Sequence, residues 1–597
     1  MSDLASRNRE TNRVTGGADK TGAVYTKPWV VELLLDAAGY CPEADLVGAV
    51  AIEPAAGHGV FLAAMALRLV ASCRRQGRPL TDCLPALLAF EINGASAERA
   101  RLTVTAALAS EGVPHPQAER LACQWVHTGD YLMAGCPAVS PPLPPADFVI
   151  GNPPYIRLEH MKASENAIYR AAYPAMGGRS DLYIAFFEAA LRQLLPGGAC
   201  AFICADRWML NQYGASLRRI VTEGYAMETL VEMHDADPFL TGVSAYPAIT
   251  VIRRQPQGPA VVAKATRIAE TQCVWLADVL KATRDQKLAM ETAGMKAQNA
   301  NISPPANALL PPEPVRILPG LEATRVETWF EGDAPWPMTS PVRLALLKRL
   351  ERDFSILEDP ETGTSVGIGV ATGADELFIT RNANLVEASR LLPLAMASDL
   401  SSKGLAWSGR YLVNPWDEEG LVSLAEFPRL AAYFQQNEAH LRQRHVGRRS
   451  PARWYRTIDR VLPALTAQPK LYIADIKDQL RPVLDAGTTY PHHNLYVVRS
   501  AAWDLEVLGG LLMSAIAQFF VECYSVRMRG GYLRFQAQYL RRIRVPHPSM
   551  MSRVQAQELK SAFRSGDRRQ ATQIALEIYG LADTERNALL EGQALTL

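Results

Sequence analysis

Over the first 255 residues, short apolar runs that stop at a glycine, proline or carboxylate alternate with longer stretches of helical period. Val50–Glu53, Leu87–Glu91, Trp125–Tyr131, Ala146–Gly151, Ala199–Ala205, Leu230–Met233 and Ala248–Ile252 read as buried strands. Between them, Val30, Leu33, Leu34 and Ala37 carry a helical stripe, and Val60–Leu69 reads as a second helix. A third helix begins at Asp181–Glu188 and stops at Leu195-Pro196-Gly197-Gly198. Thr26 is a candidate N-cap for the first helix, with Pro28 suited to its first turn. This alternation predicts a doubly wound α/β domain over residues 21–255, after a polar, poorly ordered stretch at 1–20.

The pattern then changes. Residues 256–340 hold Gln/Asn/Ala-rich and Pro-rich pieces (Asn299–Asn307, Pro311–Pro314) and read as a connecting region that lends a few strands to either side. From 341 to 597 a second unit is predicted, with a helix at Val342–Arg352, a glycine-rich stretch Val366–Phe378 and a polar helical tail from residue 551. No repeats are present.

Composition adds limits. A chain of 597 residues, 48% hydrophobic and 21% charged, is globular and holds two or three domains. Net charge is +1, so a nucleic-acid surface must be a local patch. The nine cysteines form no CxxC pair and no Cys/His array, so no metal site is expected, and Cys200 and Cys204 are expected to be buried thiols. No apolar signal segment or membrane-length stretch occurs, which predicts a cytoplasmic, reduced protein away from membranes.

Chemistry gathers at the predicted strand ends. Asn152-Pro153-Pro154-Tyr155 follows a strand directly, and two prolines force the backbone out of the sheet into a stiff turn. The carboxyl edge of such a sheet is where ligands bind. Glu53-Pro54-Ala55-Ala56-Gly57-His58-Gly59 joins a strand to a helix, and its glycines allow close backbone approach. It is neither a dinucleotide fingerprint nor a P-loop. Glu91, ending the second strand, suits a ribose diol, and Asp130 could accept from an adenine amine.

Two later stretches are basic and aromatic. Arg442, Arg444, Arg448, Arg449, Arg453, Arg456 and Arg460 surround Trp454 and Tyr455 against one acid, Asp459. Arg527, Arg529, Arg534, Arg541, Arg542 and Arg544 surround Tyr532 and Phe535. Guanidinium forks grip phosphates and guanine edges.

Together these segments resemble the class I S-adenosylmethionine-dependent amino-methyltransferases of DNA, and in particular the gamma-ordered, TaqI-like adenine enzymes of restriction–modification systems. The resemblance runs in order through the catalytic half and more weakly through the C-terminal half, at Gly367–Asp375 and Arg529–Gln536. It implies a class I methyltransferase fold, a doubly wound sheet joined to an α+β target-recognition domain. It implies S-adenosylmethionine held by Thr26, Glu53, Ala55, Gly57, Gly59, Glu91 and the adjoining Ile92, by Asp130 and Tyr131, and by Phe186 as a ring on the cofactor adenine. Asn152, Pro153, Pro154 and Tyr155 would be the catalytic motif, with Tyr155 and Phe239 stacking on a flipped base. Arg448, Arg449, Arg453, Arg529 and Arg534 are the candidates to meet double-stranded DNA. A monomer is expected, served by a separate cognate endonuclease, since no Asp…Glu-x-Lys strand pair lies outside the catalytic half.

Three other readings stay open at this stage. The first is methylation of cytosine N4, which uses an amine and a related motif, although Asn-Pro-Pro-Tyr leans to adenine. The same tetrapeptide occurs in protein-glutamine and RNA guanine-N2 methyltransferases, which lack a long unit after the catalytic half. A non-catalytic DNA-specificity subunit could also keep the fold.

Overall fold

A computed structural model describes residues 24–136, 142–157, 161–240, 246–266, 280, 315–318, 321–326, 329–337, 339–401, 404–525 and 532–590. The stretch 1–20, the segments Asn299–Asn307 and Pro311–Pro314, and Arg527 and Arg529 lie outside them. The chain divides into two units, Met1–Pro341 and Val342–Leu597.

The first unit is built on one sheet. Its strands are β1 (Ala51–Glu53), β2 (Leu87–Glu91), β3 (Val126–Thr128), β4 (Ala146–Gly151), β5 (Leu194–Ala205), β6 (Ala226–Asp235), β7 (Pro247–Arg253), β8 (Ala260–Thr266), β9 (Val315–Leu318) and β10 (Leu321–Val326). They lie in the order 3-2-1-4-5-7-6-8-10-9. Strands β1 to β5 are parallel, and β7 runs antiparallel between β5 and β6. The chain winds outward from β1 to β3 and then returns to β4 on the other side. The loops after β1 and β4 therefore face each other at a topological switch point, where open α/β sheets bind ligands. Apolar cores cover both faces, one including Trp29, Phe61 and Trp125, the other Tyr131, Phe187 and Trp208. The doubly wound class expected from the strand–helix alternation is the one that forms.

Three local expectations change. Trp125 closes the helix His115–Trp125 instead of opening a strand: Ala118, Leu121, Ala122 and Trp125 form a buried helical stripe. The indole Nε1 donates to the carbonyls of Cys83 and Leu84. The strand is only Val126–Thr128, and Asp130 instead caps the short helix Tyr131–Ala134, with Oδ1 accepting from Leu132 N at 2.9 Å. Thr26 is not the cap of Pro28–Ala38; Lys27 stands there, without a side-chain cap bond.

The third change concerns the connecting region. Its described part is built into the first unit: β8 pairs parallel to β6, and β10 pairs antiparallel to both β8 and β9. Trp329 and Trp336 pack edge-on at 5.4 Å, and Trp336 meets Trp208 at 5.1 Å. Cys200 and Cys204 are buried in β5, and burial pushes both thiols up. Among the described residues no single helix is long and apolar enough to cross a membrane.

The second unit is α+β. One sheet orders Ser365–Ile368, Leu495–Arg499, Lys470–Ala474 and Val483–Asp485; another orders Ile379–Thr380, Tyr411–Val413, Leu391–Ala395 and Tyr490–Pro491. Leu505–Met513 packs on Arg553–Ser565, and a methyl on Gly510 would sit 2.7 Å from the Leu559 carbonyl oxygen. That close approach explains a glycine inside a helix.

Candidate methyl-transfer site

Glu53 ends β1 in the core, 1% exposed, at the start of the loop that leads into the helix Val60–Arg75. Burial, then the charge of Glu91, raises its carboxyl to about 8, against a hydrogen bond from the Leu62 backbone. Its Oε2 has no hydrogen-bond partner among the described residues. Glu91 is itself held in place: Gly57 N donates to Oε2 and Asn93 N to Oε1, each at 2.8 Å. The glycine loop is thus tied to the end of β2 through the acid that the sequence assigns to a ribose. Ile92, the next residue, is 70% exposed.

The two glycines differ in purpose. Gly57 (φ +53°) and Gly59 (φ +83°) both take left-handed backbone conformations. A methyl on Gly59 would also lie 2.9 Å from Ala100 Cα, so that glycine lets the helix Gly94–Ser110 pack close. Between them His58 stacks on Tyr25 at 4.5 Å, with Nε2 3.0 Å from the Tyr25 hydroxyl. Burial, then the Arg99 charge, lowers the His58 pKa below the ordinary imidazole value.

Gly151 brings the Asn152–Tyr155 turn against this loop. A methyl there would lie 3.4 Å from Pro54 Cδ and 3.6 Å from Glu53 Cγ. Asn152 follows, and its Nδ2 donates to the Val24 carbonyl and to Thr26 Oγ1, both at 3.1 Å. A carbonyl can only accept, so the nitrogen must face Val24 and the oxygen must face away. That oxygen, Oδ1, is buried and has no partner among the described residues. The Thr26 hydroxyl therefore holds the Asn152 amide.

The same N-terminal strap holds Phe239. Thr26 and Phe239 form an antiparallel bridge, Lys27 N donates to the Pro238 carbonyl, and Leu240 N donates to the Tyr25 carbonyl. Phe239 meets Tyr155 edge-on, with centroids 6.2 Å apart at 72°. The Tyr155 hydroxyl donates to the Ile203 carbonyl at 3.4 Å, and burial pushes its pKa well up. Thr26, Asn152, Tyr155 and Phe239 are brought together from three chain segments.

The remaining positions are engaged as follows. Asp130 uses both oxygens internally, the second accepting from the Tyr169 hydroxyl at 2.7 Å. Tyr131 and Phe186 stack on each other at 5.7 Å and are buried, 1% and 6% exposed. The Tyr131 hydroxyl donates to Gln193 Oε1 at 2.8 Å. Ala55 is half-buried in the glycine loop.

In the second unit the arginine run splits in two. Arg444 donates to the carbonyls of Thr372, Trp454 and Arg456 and lies over the Phe378 ring; Arg456 lies over Trp416. Arg442 pairs with Glu438, and Arg460 donates to the Glu418 carbonyl. These four build the fold. Arg448, Arg449 and Arg453 are exposed, with no side-chain hydrogen bond or ion pair to any described residue. Arg534 forms a forked pair with Asp475.

Two clusters escaped the sequence reading. Asp375, His492 and His493 present atoms within 4.8 Å of one another. There His492 Nε2 lies 3.1 Å from Asp375 Oδ2, while Thr372 Oγ1 donates to the other oxygen. In the first unit, His234 stands between Asp206 and Glu232. Glu232 and His234 fall on one side of β6 by the two-residue period of a strand, a signal legible in the sequence.

Residues 146–239, from β4 through Phe239, match the model of the Eco57I restriction-modification methylase family. The chain is 41% identical over 95% of its length, and 99% of the relative's, to the Type II methyltransferase M.XhoI of Xanthomonas vasicola. It is 40% identical over 96% of its length, and 94% of the relative's, to the Type II methyltransferase M.PaeR7I of Pseudomonas aeruginosa. Its fold is similar to that of the Type IIL restriction-modification enzyme MmeI, solved with DNA, at a TM-score of 0.54 and 11% identity over 95% of this chain and 74% of that one. With two relatives at this identity along nearly the whole of both chains, the chain belongs to the Type II DNA methyltransferases of restriction–modification systems.

Proposed function

We propose that the chain transfers the methyl group of S-adenosylmethionine to the N6 amine of an adenine flipped out of duplex DNA. The observation that carries the reading is the Asn152 amide, with its nitrogen anchored on Val24 and Thr26 and its oxygen left buried and free to accept.

An adenine amine is a poor nucleophile because its lone pair is delocalised into the ring. Asn152 Oδ1 and the Pro153 carbonyl would accept its two hydrogens and pull the nitrogen toward tetrahedral geometry, which localises the lone pair. The same two acceptors stabilise the positive charge that grows on nitrogen during attack. Pro153 and Pro154 stiffen the turn, so little reorganisation is needed. Inside a duplex the amine is out of reach, and extruding the base costs roughly a few kcal/mol. Stacking on Tyr155 and Phe239 offsets this by about 1–3 kcal/mol per base.

The site fits the cofactor. Bound S-adenosylmethionine supplies an electrophilic methyl on a cationic sulfonium. Glu53 is buried, with its carboxyl raised by burial and by the Glu91 charge, and its Oε2 has no hydrogen-bond partner among the described residues. Glu91, Ile92 and the backbone of Gly57 would hold the nucleoside end. Arg448, Arg449 and Arg453 would grip DNA phosphates, in the host cytoplasm where the DNA lies. The chain would act as a monomer beside a separate cognate endonuclease.

Expression in a methylation-free host, followed by modification-sensitive sequencing of its genome, tests the reading. Methylated adenine at one short motif is expected, and methylated cytosine or an unmodified genome would refute it. Asn152→Ala should keep cofactor and DNA binding and lose about 10²–10³ in transfer rate, the scale of removing one preorganised polar group.

A further inference from the structure

His234 is next to last in β6, and both of its ring nitrogens face carboxylates. Nε2 lies 2.6 Å from Asp206 Oδ2, and Nδ1 lies 3.2 Å from Glu232 Oε1. The Asp206 contact is a hydrogen bond and the Glu232 contact an ion-pair distance; a neutral imidazole would set a lone pair against one of these oxygens, whereas the imidazolium is attracted to both. Burial works against that charge, but the Asp206 hydrogen bond and charge, then the Glu232 charge, outweigh it and hold the His234 pKa above its ordinary value. Lys264 on β8, 3.7 Å from Glu232, opposes the charge. The Tyr246 ring lies 4.9 Å from the imidazole, with the Arg207 guanidinium 5.6 Å from the Tyr246 centroid.

Both sides of this clamp lead to the methyl-transfer site. Gly151 pairs with Phe202, so Asp206 and Tyr155 each stand four residues beyond paired positions on neighbouring parallel strands. The Asp206 charge is felt at Tyr155. On the other side the chain runs only five residues from His234 to Phe239. Within that span Asp237 is the one non-glycine residue at positive φ (+48°) among those described, and it is ion-paired to Lys27 at 2.8 Å. Beyond it, the Thr26–Phe239 bridge ties the loop to the strap that aims Asn152.

We propose that His234, clamped as an imidazolium between Asp206 and Glu232, is a positioning residue that fixes loop 235–240, and with it Phe239, against the Asn152 turn. The inference rests on the adenine-methylation reading and adds a pH dependence to it. The clamp is complete below the ordinary imidazole value and is lost as pH rises through the raised folded value.

The test is single-turnover methyl transfer by the full chain, from pH 6 to pH 9.5, on plasmid DNA from a methylation-free host. Wild type should lose rate along an alkaline limb above neutrality. His234→Gln should abolish that limb and lower the rate below it by about tenfold, with cofactor KM unchanged. Asp206→Asn should move the limb to lower pH, and Glu232→Gln should move it less, in the order of their distances from the ring. An alkaline limb unmoved in all three variants overturns the proposal, as does a wild-type rate for His234→Gln. Carbon-13 histidine NMR on the wild-type chain reads the clamp without any variant, and an imidazole that titrates below its ordinary value also overturns it. A wild-type chain that methylates no adenine at any pH sinks the functional reading instead, and the NMR result then stands alone on the clamp.

Discussion

Replacing Thr26 by Val keeps a β-branched side chain of nearly the same size and the backbone bridge to Phe239. It removes one of the two acceptors that aim the Asn152 amide. In the native site the Val24 carbonyl sets which way the amide faces, and the Thr26 hydroxyl adds a second bond of about 0.5–1.5 kcal/mol net that holds the amide in place. In Thr26→Val only the Val24 bond remains, so the restraint on the productive position falls by about 0.5–1.5 kcal/mol. The transfer rate should then fall by about 2- to 12-fold, well short of the loss from Asn152→Ala. Single-turnover transfer and cofactor affinity, measured on the same preparations, separate the outcomes. The rate should drop within that range, affinity should hold within about twofold, and Thr26→Ser should restore the rate. An unchanged rate would refute the aiming role. Weaker cofactor binding at an unchanged rate would assign the hydroxyl to the cofactor, as the family resemblance implies.

Replacing Arg448, Arg449 and Arg453 together by Ala should weaken DNA binding across sequences. The slope of log affinity against log salt should flatten by about 0.9 for each phosphate that is no longer neutralised. Arg444→Ala should instead lower the thermal midpoint, because it strips donors from the Leu441, Thr372, Trp454 and Arg456 carbonyls; equal effects from the two variants would refute the division of the run. Asp485, buried with Lys470 and bonded to Thr488, has its carboxyl pulled down to about 2 even though burial opposes the charge. It therefore contributes about 2 kcal/mol above the unfolded carboxyl value near 4, lost as pH falls toward 2. The thermal-midpoint gap between wild type and Asp485→Asn should shrink between pH 4.5 and pH 3, and a constant gap would contradict the assignment.

The strands β1, β2 and β4 were legible because each is a short apolar run closed by a glycine, proline or acid, and their order places the glycine loop beside Asn152. The third strand was overestimated because Trp125 serves a helical stripe whose other members lie three, four and seven residues earlier. Strands β8 to β10 were blurred by polar and proline-rich neighbours, and their pairing with β6 is a long-range fact that local pattern does not carry. At the site, residue types and order were readable, but partners were not. The Thr26 hydroxyl is as good a cap by sequence as a ligand for Asn152, 126 residues away. Likewise, seven arginines look alike until Phe378, Trp416 and Glu438 take three of them.

The strap at Val24–Lys27 also sets when, during synthesis, the protein can become active. Its residues precede Pro238–Leu240 by more than two hundred positions, and the backbone bonds that hold the strap form only once those residues follow. A nascent chain that ends before β6 already contains the glycine loop, Glu91 and the Asn152 turn, but it lacks the loop that holds the strap in place. Domains fold as units while the chain is extended. The Asn152 amide thus gains its full set of supports only when the Pro238–Leu240 loop arrives, so on the proposed function a prematurely terminated chain would carry the glycine loop and Glu91 without a firmly held Asn152 turn.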